Sequence, residues 1–266
     1  MKKFILVFVM VLLQIGFFFC SASGHPGSGI VVDNYGNIYF TYSRVGVVRI
    51  SVDGKLSYAH KATDGHWLCL DVQGFFSKTQ PKFFERITPS GAKPALIYAG
   101  GGSPIVVNKD GNFYYCGGES GDKHPGAKSL IRETTSGQQT IFAPLLEKTL
   151  NDFEDGITAL NAGPDGSLYV ACWNSILKIS MDGKITNLVH PIPAIDCDED
   201  PADHKETNRG KPLLRGIAVD STGTIYVAAT SCHCVFMLTA DGNVKTILRA
   251  ERPWSPTVVT VRDGII

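Results

Sequence analysis

Short apolar runs alternate with glycine-centred turns along this chain, and one two-part phrase recurs. Its first half reads GIVVDNYGNIYF (29–40), PIVVNKDGNFYY (104–115), LNAGPDGSLYVA (160–171) and GIAVDSTGTIYVA (216–228). Its second half reads VRISVDGKL (48–56), FERITPSGAK (84–93), LKISMDGKI (177–185) and FMLTADGNV (236–244). Alternation such as Ile38-Tyr39-Phe40 and Ile225-Tyr226-Val227 has the two-residue period of a strand, and the intervening glycines mark hairpin turns. No stretch of comparable length sustains a helical period, which argues against an α/β arrangement. One such unit cannot bury its apolar faces alone, so the repeat must stack on itself.

The turn glycines act as register marks. First-turn marks fall at Gly36, Gly74, Gly111, Gly166, Gly223 and Gly264, and second-turn marks at Gly54, Gly91, Gly137, Gly183 and Gly242. A unit of about 40 residues or more with two glycine turns fits four short antiparallel strands, A to D, which is the blade of a β-propeller. The expected fold is therefore an all-β propeller. Blades fall at about 28–62, 66–102, 103–146, 156–190 and 214–250, and 255–266 begins a sixth. Five blades and one strand would leave exposed strand edges, which proteins normally avoid. The expectation is a truncated six-bladed ring; the alternative is a five-bladed ring closed by a swapped terminal strand.

Composition narrows the function classes. Hydrophobic residues make up 44% of the 266, and 25 Lys+Arg balance 25 Asp+Glu, so no basic footprint for nucleic acid or a polybasic membrane patch exists. Lys2 and Lys3, the apolar run from Phe4 to Phe19 and the small residues that follow have the layout of a secretory signal peptide over 1–23. The mature domain is expected at 24–266, secreted or periplasmic, with membrane contact only during export; an uncleaved N-terminal anchor is the alternative. Export permits disulfides. Cys69, Cys116 and Cys172 lie inside apolar strands and read as small buried hydrophobes, whereas Cys197 and Cys232 are the pair expected to bridge.

The phrase Gly216–Ala228, its variants, and the Asp-Gly turns at Asp53-Gly54, Asp182-Gly183 and Asp241-Gly242 resemble NHL repeats and the propellers of the senescence-marker-protein/gluconolactonase family, over essentially all of 29–266. The resemblance implies a six-bladed propeller and admits enzymes, ligand binders and scaffolds alike. In the gluconolactonase-like enzymes a Glu, an Asn and an Asp at strand-A entrances hold a divalent metal. The matching positions here carry Ser28, Thr158 (or Asp155 if the register slips by three) and Arg215, and a cation is a poor replacement for a hard-metal ligand.

The long segments 117–128, 142–155 and 189–214 all leave the same face of the disc, the usual disposition of a binding surface on a rigid scaffold. The mouth on that face is marked by the residue eight before each first-turn glycine: Ser28, His66, Ser103, Thr158 and Arg215, with Ser255 in the incomplete unit. His66 and Arg215 suit a carboxylate or phosphate, and Trp67 can stack on a ligand; a salt bridge from Arg215 to Asp152 or Asp155 is the structural alternative. Trp173 and Trp254, with Trp67, are expected to fill gaps between blades. Asp196, Asp198 and Asp200 have the alternate spacing of a calcium loop, but Pro201 and Thr207 stand where the sharp-turn Gly and the bidentate Glu are needed, so a solvated acidic loop is expected. No cofactor is called for; Asp152, Asp155, Asp196, Asp198 and Asp200 are the candidates should calcium bind. The sequence thus points to a binding scaffold for a small anionic or sugar-derived ligand, or for a protein partner, rather than an enzyme. The alternative is a gluconolactonase-like hydrolase with an altered metal site.

Overall fold

The computed structural model describes residues 29–266 apart from 43–44, 62–64, 72–83, 90–94, 101–103, 117–128, 153–155, 194–211, 240, 252–253 and 263. The described residues form five antiparallel sheets. Blade 1 comprises β1 (Ile30–Val32), β2 (Ile38–Tyr42), β3 (Gly46–Ile50) and β4 (Leu56–Lys61). Blade 2 comprises β5 (Gly65–Asp71), β6 (Phe84–Ile87) and β7 (Ala95–Gly100), and blade 3 β8 (Ile105–Val107), β9 (Phe113–Cys116), β10 (Leu130–Glu133) and β11 (Gln139–Phe142). A short helix α1 (Leu146–Asp152) leads to blade 4: β12 (Ile157–Ala162), β13 (Leu168–Cys172), β14 (Ile176–Ile179) and β15 (Ile185–Val189). Blade 5 comprises β16 (Leu214–Val219), β17 (Ile225–Ala229), β18 (Cys234–Leu238) and β19 (Val244–Arg249). Blades 1, 3, 4 and 5 are meanders in chain order. Every described register glycine adopts positive φ, between 77° and 87°, the conformation that glycine enters without a Cβ penalty.

Alternate residues of each strand face opposite neighbours, and the cores therefore lie between blades. Tyr39, Val47, Leu96 and Tyr98 join blade 1 to blade 2; Cys69, Ile97, Ile105 and Phe113 join 2 to 3. Blade 3 meets blade 4 through Tyr114, Leu130, Leu168 and Leu177, with Leu146 and Leu150 of α1 added. Ala159, Tyr169, Ile217 and Phe236 join 4 to 5. β13 divides cleanly: Leu168, Val170 and Cys172 face blade 3, and Tyr169 and Ala171 face blade 5. The innermost strands β1, β5, β8, β12 and β16 surround an axial cavity of about 410 Å³.

Blade 2 departs from the expected meander. Its described strands run β5–β7–β6, so the last strand in the chain takes the place beside the innermost one. The reason lies in side-chain chemistry. Leu96, Ile97, Tyr98 and Ala99 of β7 are all buried, whereas β6 carries Glu85 and Arg86, both exposed. A position covered on both faces takes the more apolar strand, and the charged strand goes to the rim. Arg86 still reaches inward to the buried Asp71, Nε to Oδ2 at 3.2 Å.

Residues 258–262 line the same cavity as the five inner strands. Val259 and Val261 pack on Ala218, Tyr226, Ala228 and Val235 of blade 5, and Arg262 Nη2 donates to Asn34 O at 3.0 Å, next to blade 1. The segment thus lies at the inner position between blades 5 and 1, where the repeat register predicts a strand, but it forms no strand there and Arg262 makes only an isolated bridge to Ile265. Blade 1 turns an apolar face to that side: the cross-strand rows Ile30–Phe40–Val48–Tyr58 and Val32–Ile38–Ile50–Leu56 contain no polar residue. The outer members Leu56 and Tyr58 are exposed.

Cys232 is disulfide-bonded, and Cys69, Cys116, Cys172 and Cys234 are buried thiols outside any disulfide. The expected partner Cys197 lies outside the described residues. Burial pushes the Cys69 and Cys116 thiols up, which leaves them chemically inert. Residues 1–23, read as a signal peptide, also lie outside the described residues.

The first turns are clamped by side chains. In blade 4 burial pushes the Asp165 carboxyl up, but hydrogen bonds from Lys178 and Ser167 outweigh it and hold the group below the ordinary carboxylate range. The Lys178 Nζ–Asp165 Oδ2 distance is 2.7 Å. A carboxyl with a depressed folded-state pKa contributes stability above its unfolded value of about 3.9, and that contribution is lost as pH falls through the folded value. Asp165→Asn is therefore expected to lower the unfolding free energy at neutral pH by less than about 1 kcal/mol, with a slight fall in Tm, because the pair is partly exposed. The difference from the parent should shrink as pH falls below the unfolded value and vanish once pH has passed the lowered folded-state value. Thermal melts across a pH series check the sign.

Candidate functional site

Each inner strand starts on the face that carries the long connections and runs toward its clamped first turn. At those starts the ladders are interrupted in the same way three times. Gly65 pairs with Gly100 and Trp67 with Ala99, leaving His66 as the extra residue of a β-bulge. Thr158 is the extra residue between Ile157 and Ala159, and Arg215 that between Leu214 and Gly216. A bulge re-aims its unpaired residue away from the sheet alternation. The eight-residue spacing thus finds three equivalent positions around the mouth, and the structure gives all three the same local geometry.

Their partners differ. Thr158 is occupied locally, its Oγ1 donating to Ala171 O at 3.0 Å. His66 is half-buried, and its carbonyl accepts the Thr41 hydroxyl at 3.2 Å. Arg215 is half-buried and makes no hydrogen bond or ion pair among the described residues. Burial pushes its guanidinium below the ordinary value, with no carboxylate among the described residues drawing it back. Asp155, Asp196, Asp198, Asp200, Ser28 and Ser103 lie outside the described residues, and Asp152 is described only as the last residue of α1.

Trp67 forms the floor. It packs against the core between blades 2 and 3 and also against that between blades 4 and 5, so its indole spans the channel. Its Nε1 is buried without a hydrogen-bond partner. Trp67 also lines the axial cavity, one residue along β5 from the His66 bulge.

The other two tryptophans do not fill gaps between blades. Trp173, in the turn between β13 and β14, is 39% exposed, and Trp254, in the connection after β19, is 75% exposed. Both stand on the mouth face, on either side of the Arg215 strand. Trp173 O accepts the N–H of Leu214 at 3.2 Å, and on the other side Thr230 N donates to Leu213 O at 2.8 Å. Thr230 Oγ1 donates to Pro256 O at 3.1 Å, Ser255 Oγ donates to Thr230 O, and His233 Nδ1 lies 2.7 Å from Trp254 O. One hydrogen-bonded path therefore runs along the rim from Trp173 past Arg215 to Trp254. The repeat pattern missed both residues because they sit in turns, where period carries no signal; tryptophan at a turn position was the available clue.

The described residues of the mouth do not by themselves make up a site for a hard divalent metal. Such an ion takes six to eight oxygen ligands, and the described ring offers a hydroxyl already bonded to a carbonyl and a guanidinium. Among the described residues no group of three or more His, Cys, Asp or Glu is placed to hold a metal ion.

The five-sheet ring with its axial mouth defines the chain as a β-propeller. No protein-family model and no curated protein matches it. Solved structures do resemble it. Virginiamycin B lyase from Staphylococcus aureus is 15% identical with a TM-score of 0.53, over 90% of this chain and 75% of that one. A protein of unknown function from Bacteroides thetaiotaomicron is 16% identical with a TM-score of 0.56, over 92% of this chain and 66% of that one. An auxiliary nutrient binding protein from the same organism is 14% identical with a TM-score of 0.55, over 90% of this chain and 65% of that one. At these identities the likeness is one of fold, and the propeller expectation holds.

Proposed function

We propose that this chain is an exported binding module whose mouth takes a small anionic ligand, a carboxylate or phosphate or a sugar-derived acid, on Arg215. One observation carries the reading: a half-buried guanidinium, raised on a β-bulge at the channel mouth, with no counter-ion among the described residues. Desolvating a cation without a partner is costly, and structural arginines are normally paired. A planar fork held in a concave site recognises a carboxylate or phosphate by two parallel hydrogen bonds. Thr158 and His66 occupy the equivalent positions and would shape the remaining wall, over the Trp67 floor. A nutrient-binding protein among the structural neighbours is compatible with this assignment.

Gluconate, galacturonate and inorganic phosphate are expected to raise Tm in proportion to the logarithm of their concentration. Arg215→Ala should weaken binding at least tenfold, on the order of a charge-assisted bidentate contact. The same variant should leave the Tm of the free protein unchanged or raised, since it removes a desolvated charge. Equal anion affinity in Arg215→Ala would sink the reading. A divalent ion retained through dialysis, with lactone hydrolysis lost in Asp155→Ala, would replace it with the gluconolactonase-like alternative.

A further inference from the structure

Trp173 and Trp254 remain unexplained by packing. Exposed tryptophan is an unusual surface residue, and a cluster of exposed apolar area on one face marks an interaction site. Here two of the chain's three tryptophans are exposed on the mouth face, and the third floors the mouth. The path Trp173 O–Leu214 N, Leu213 O–Thr230 N, Thr230 Oγ1–Pro256 O ties the backbone of Trp173 and that of Pro256, two residues after Trp254, to the residues that precede Arg215. His233, in the left-handed region at φ 53°, holds the Trp254 carbonyl, so Trp254 is tied to blade 5 although its ring is in solvent.

We propose that the Trp173–Arg215–Trp254 rim binds an acidic oligosaccharide, one uronate carboxylate on Arg215 and the flanking sugar rings stacked on the two indoles; this rests on the anion-binding reading of Arg215. A pyranose ring has an apolar C–H face and a hydroxylated edge, and an indole offers a flat apolar face with a polar N–H at its border. A free monosaccharide engages Arg215 alone. A trisaccharide reaches both tryptophans, and each stacked ring adds affinity without a further loss of translational freedom. The uronate supplies the counter-charge that Arg215 lacks among the described residues. A protein partner would instead need a large contiguous buried area, and two tryptophans separated by a guanidinium match discrete sugar subsites better than one apolar patch.

Isothermal titration of the full chain with galacturonate, trigalacturonate and neutral galactotriose tests this. Trigalacturonate is expected to bind roughly tenfold or more tighter than galacturonate, and galactotriose at least tenfold more weakly than trigalacturonate. Trp173→Ala and Trp254→Ala should each cost the trimer roughly fivefold or more and leave galacturonate within about twofold. Both positions are exposed, so circular dichroism and Tm should match the parent. A trimer no tighter than the monomer, or tryptophan variants that weaken both alike, overturns the rim subsites while leaving the anion site standing. Galactotriose as tight as trigalacturonate overturns the acidic specificity. Failure of galacturonate, gluconate and phosphate alike to bind the parent overturns the Arg215 reading itself, and this proposal with it.

Discussion

Asp33→Ala is expected to lower the unfolding free energy by about 4 kcal/mol and Tm by roughly 10 °C. The Asp33 side chain is fully buried and accepts four hydrogen bonds. Oδ1 takes the N–H groups of Tyr35 and Asn37, each at 2.9 Å. Oδ2 takes Asn37 Nδ2 at 2.8 Å and the Tyr39 hydroxyl at 3.3 Å. Arg49 Nη2 closes the network on Asn37 Oδ1 at 2.8 Å. Burial, with the Asp33 charge adding to it, pushes the Tyr39 phenol up and keeps it a donor. Alanine would strand these donors in the core between blades 1 and 2, where water cannot reach them. Asp220 makes the same bonds in blade 5, to the N–H groups of Thr222 and Thr224 and the Tyr226 hydroxyl, but it is partly exposed. Asp220→Ala should therefore cost only about 1–2 kcal/mol. Urea or thermal melts of the two variants decide the point; equal costs would show that burial is not what distinguishes these clamps.

Gly216→Ala is the second large effect, at about 3 kcal/mol. A Cβ on Gly216 would lie 2.6 Å from Val258 Cα and 2.9 Å from Val259 N. Both are backbone atoms, which cannot rotate away as a side-chain end would. The overlap should push residues 255–262 out of the ring and with them the Ser255–Thr230 contact that seats Trp254. Hydrogen exchange is expected to rise in 255–262 ahead of the rest of blade 5, and ligand affinity at the rim should fall. Gly223→Ala is the control. It has φ of +87° but nothing within 4 Å of the new Cβ, so only the left-handed strain of about 1–2 kcal/mol applies. If Gly216→Ala costs no more than Gly223→Ala, the terminal segment does not pack against β16 as described.

These two cases separate what repetition encodes from what it leaves open. Asp33 and Asp220 occupy the same place in the same phrase, GIVVDNYG and GIAVDSTG, and make the same local bonds. Only their neighbours differ: blade 2 covers Asp33, and Asp220 stays partly open. Gly216 begins a phrase just as Gly29 does, and both glycines are required because the next segment at the inner position passes at backbone contact. For Gly29 that is Leu68 N, 2.5 Å from an added Cβ. The recurrent glycine was visible in the chain, but its reason was not, since the contacting residues lie about 40 positions away in both cases.

The candidate site divides in the same way. The spacing from each turn glycine located His66, Thr158 and Arg215, because strand length between turn and mouth is a local property. It could not tell that Thr158 is bonded to Ala171 while Arg215 has no partner among the described residues. Trp173 and Trp254 were expected to be packing residues, and their exposure follows from the path of two connections over the rim. In blade 2 the alternation of apolar positions was legible, yet the order β5–β7–β6 came from competition between strands for the doubly covered position.

By itself the sequence determined the turns, the strand alternation, the succession of five blades and a further segment at the inner position, and the register of the mouth. These depend on backbone preferences and on which face each residue takes, and both repeat within a few residues. The tertiary structure alone decided which clamps are buried, which glycines touch a neighbouring backbone, where the charged strand of blade 2 goes, and which side chains at the mouth remain unpaired. Those outcomes depend on what packs across a blade boundary, between residues tens of positions apart, and no local pattern specifies them.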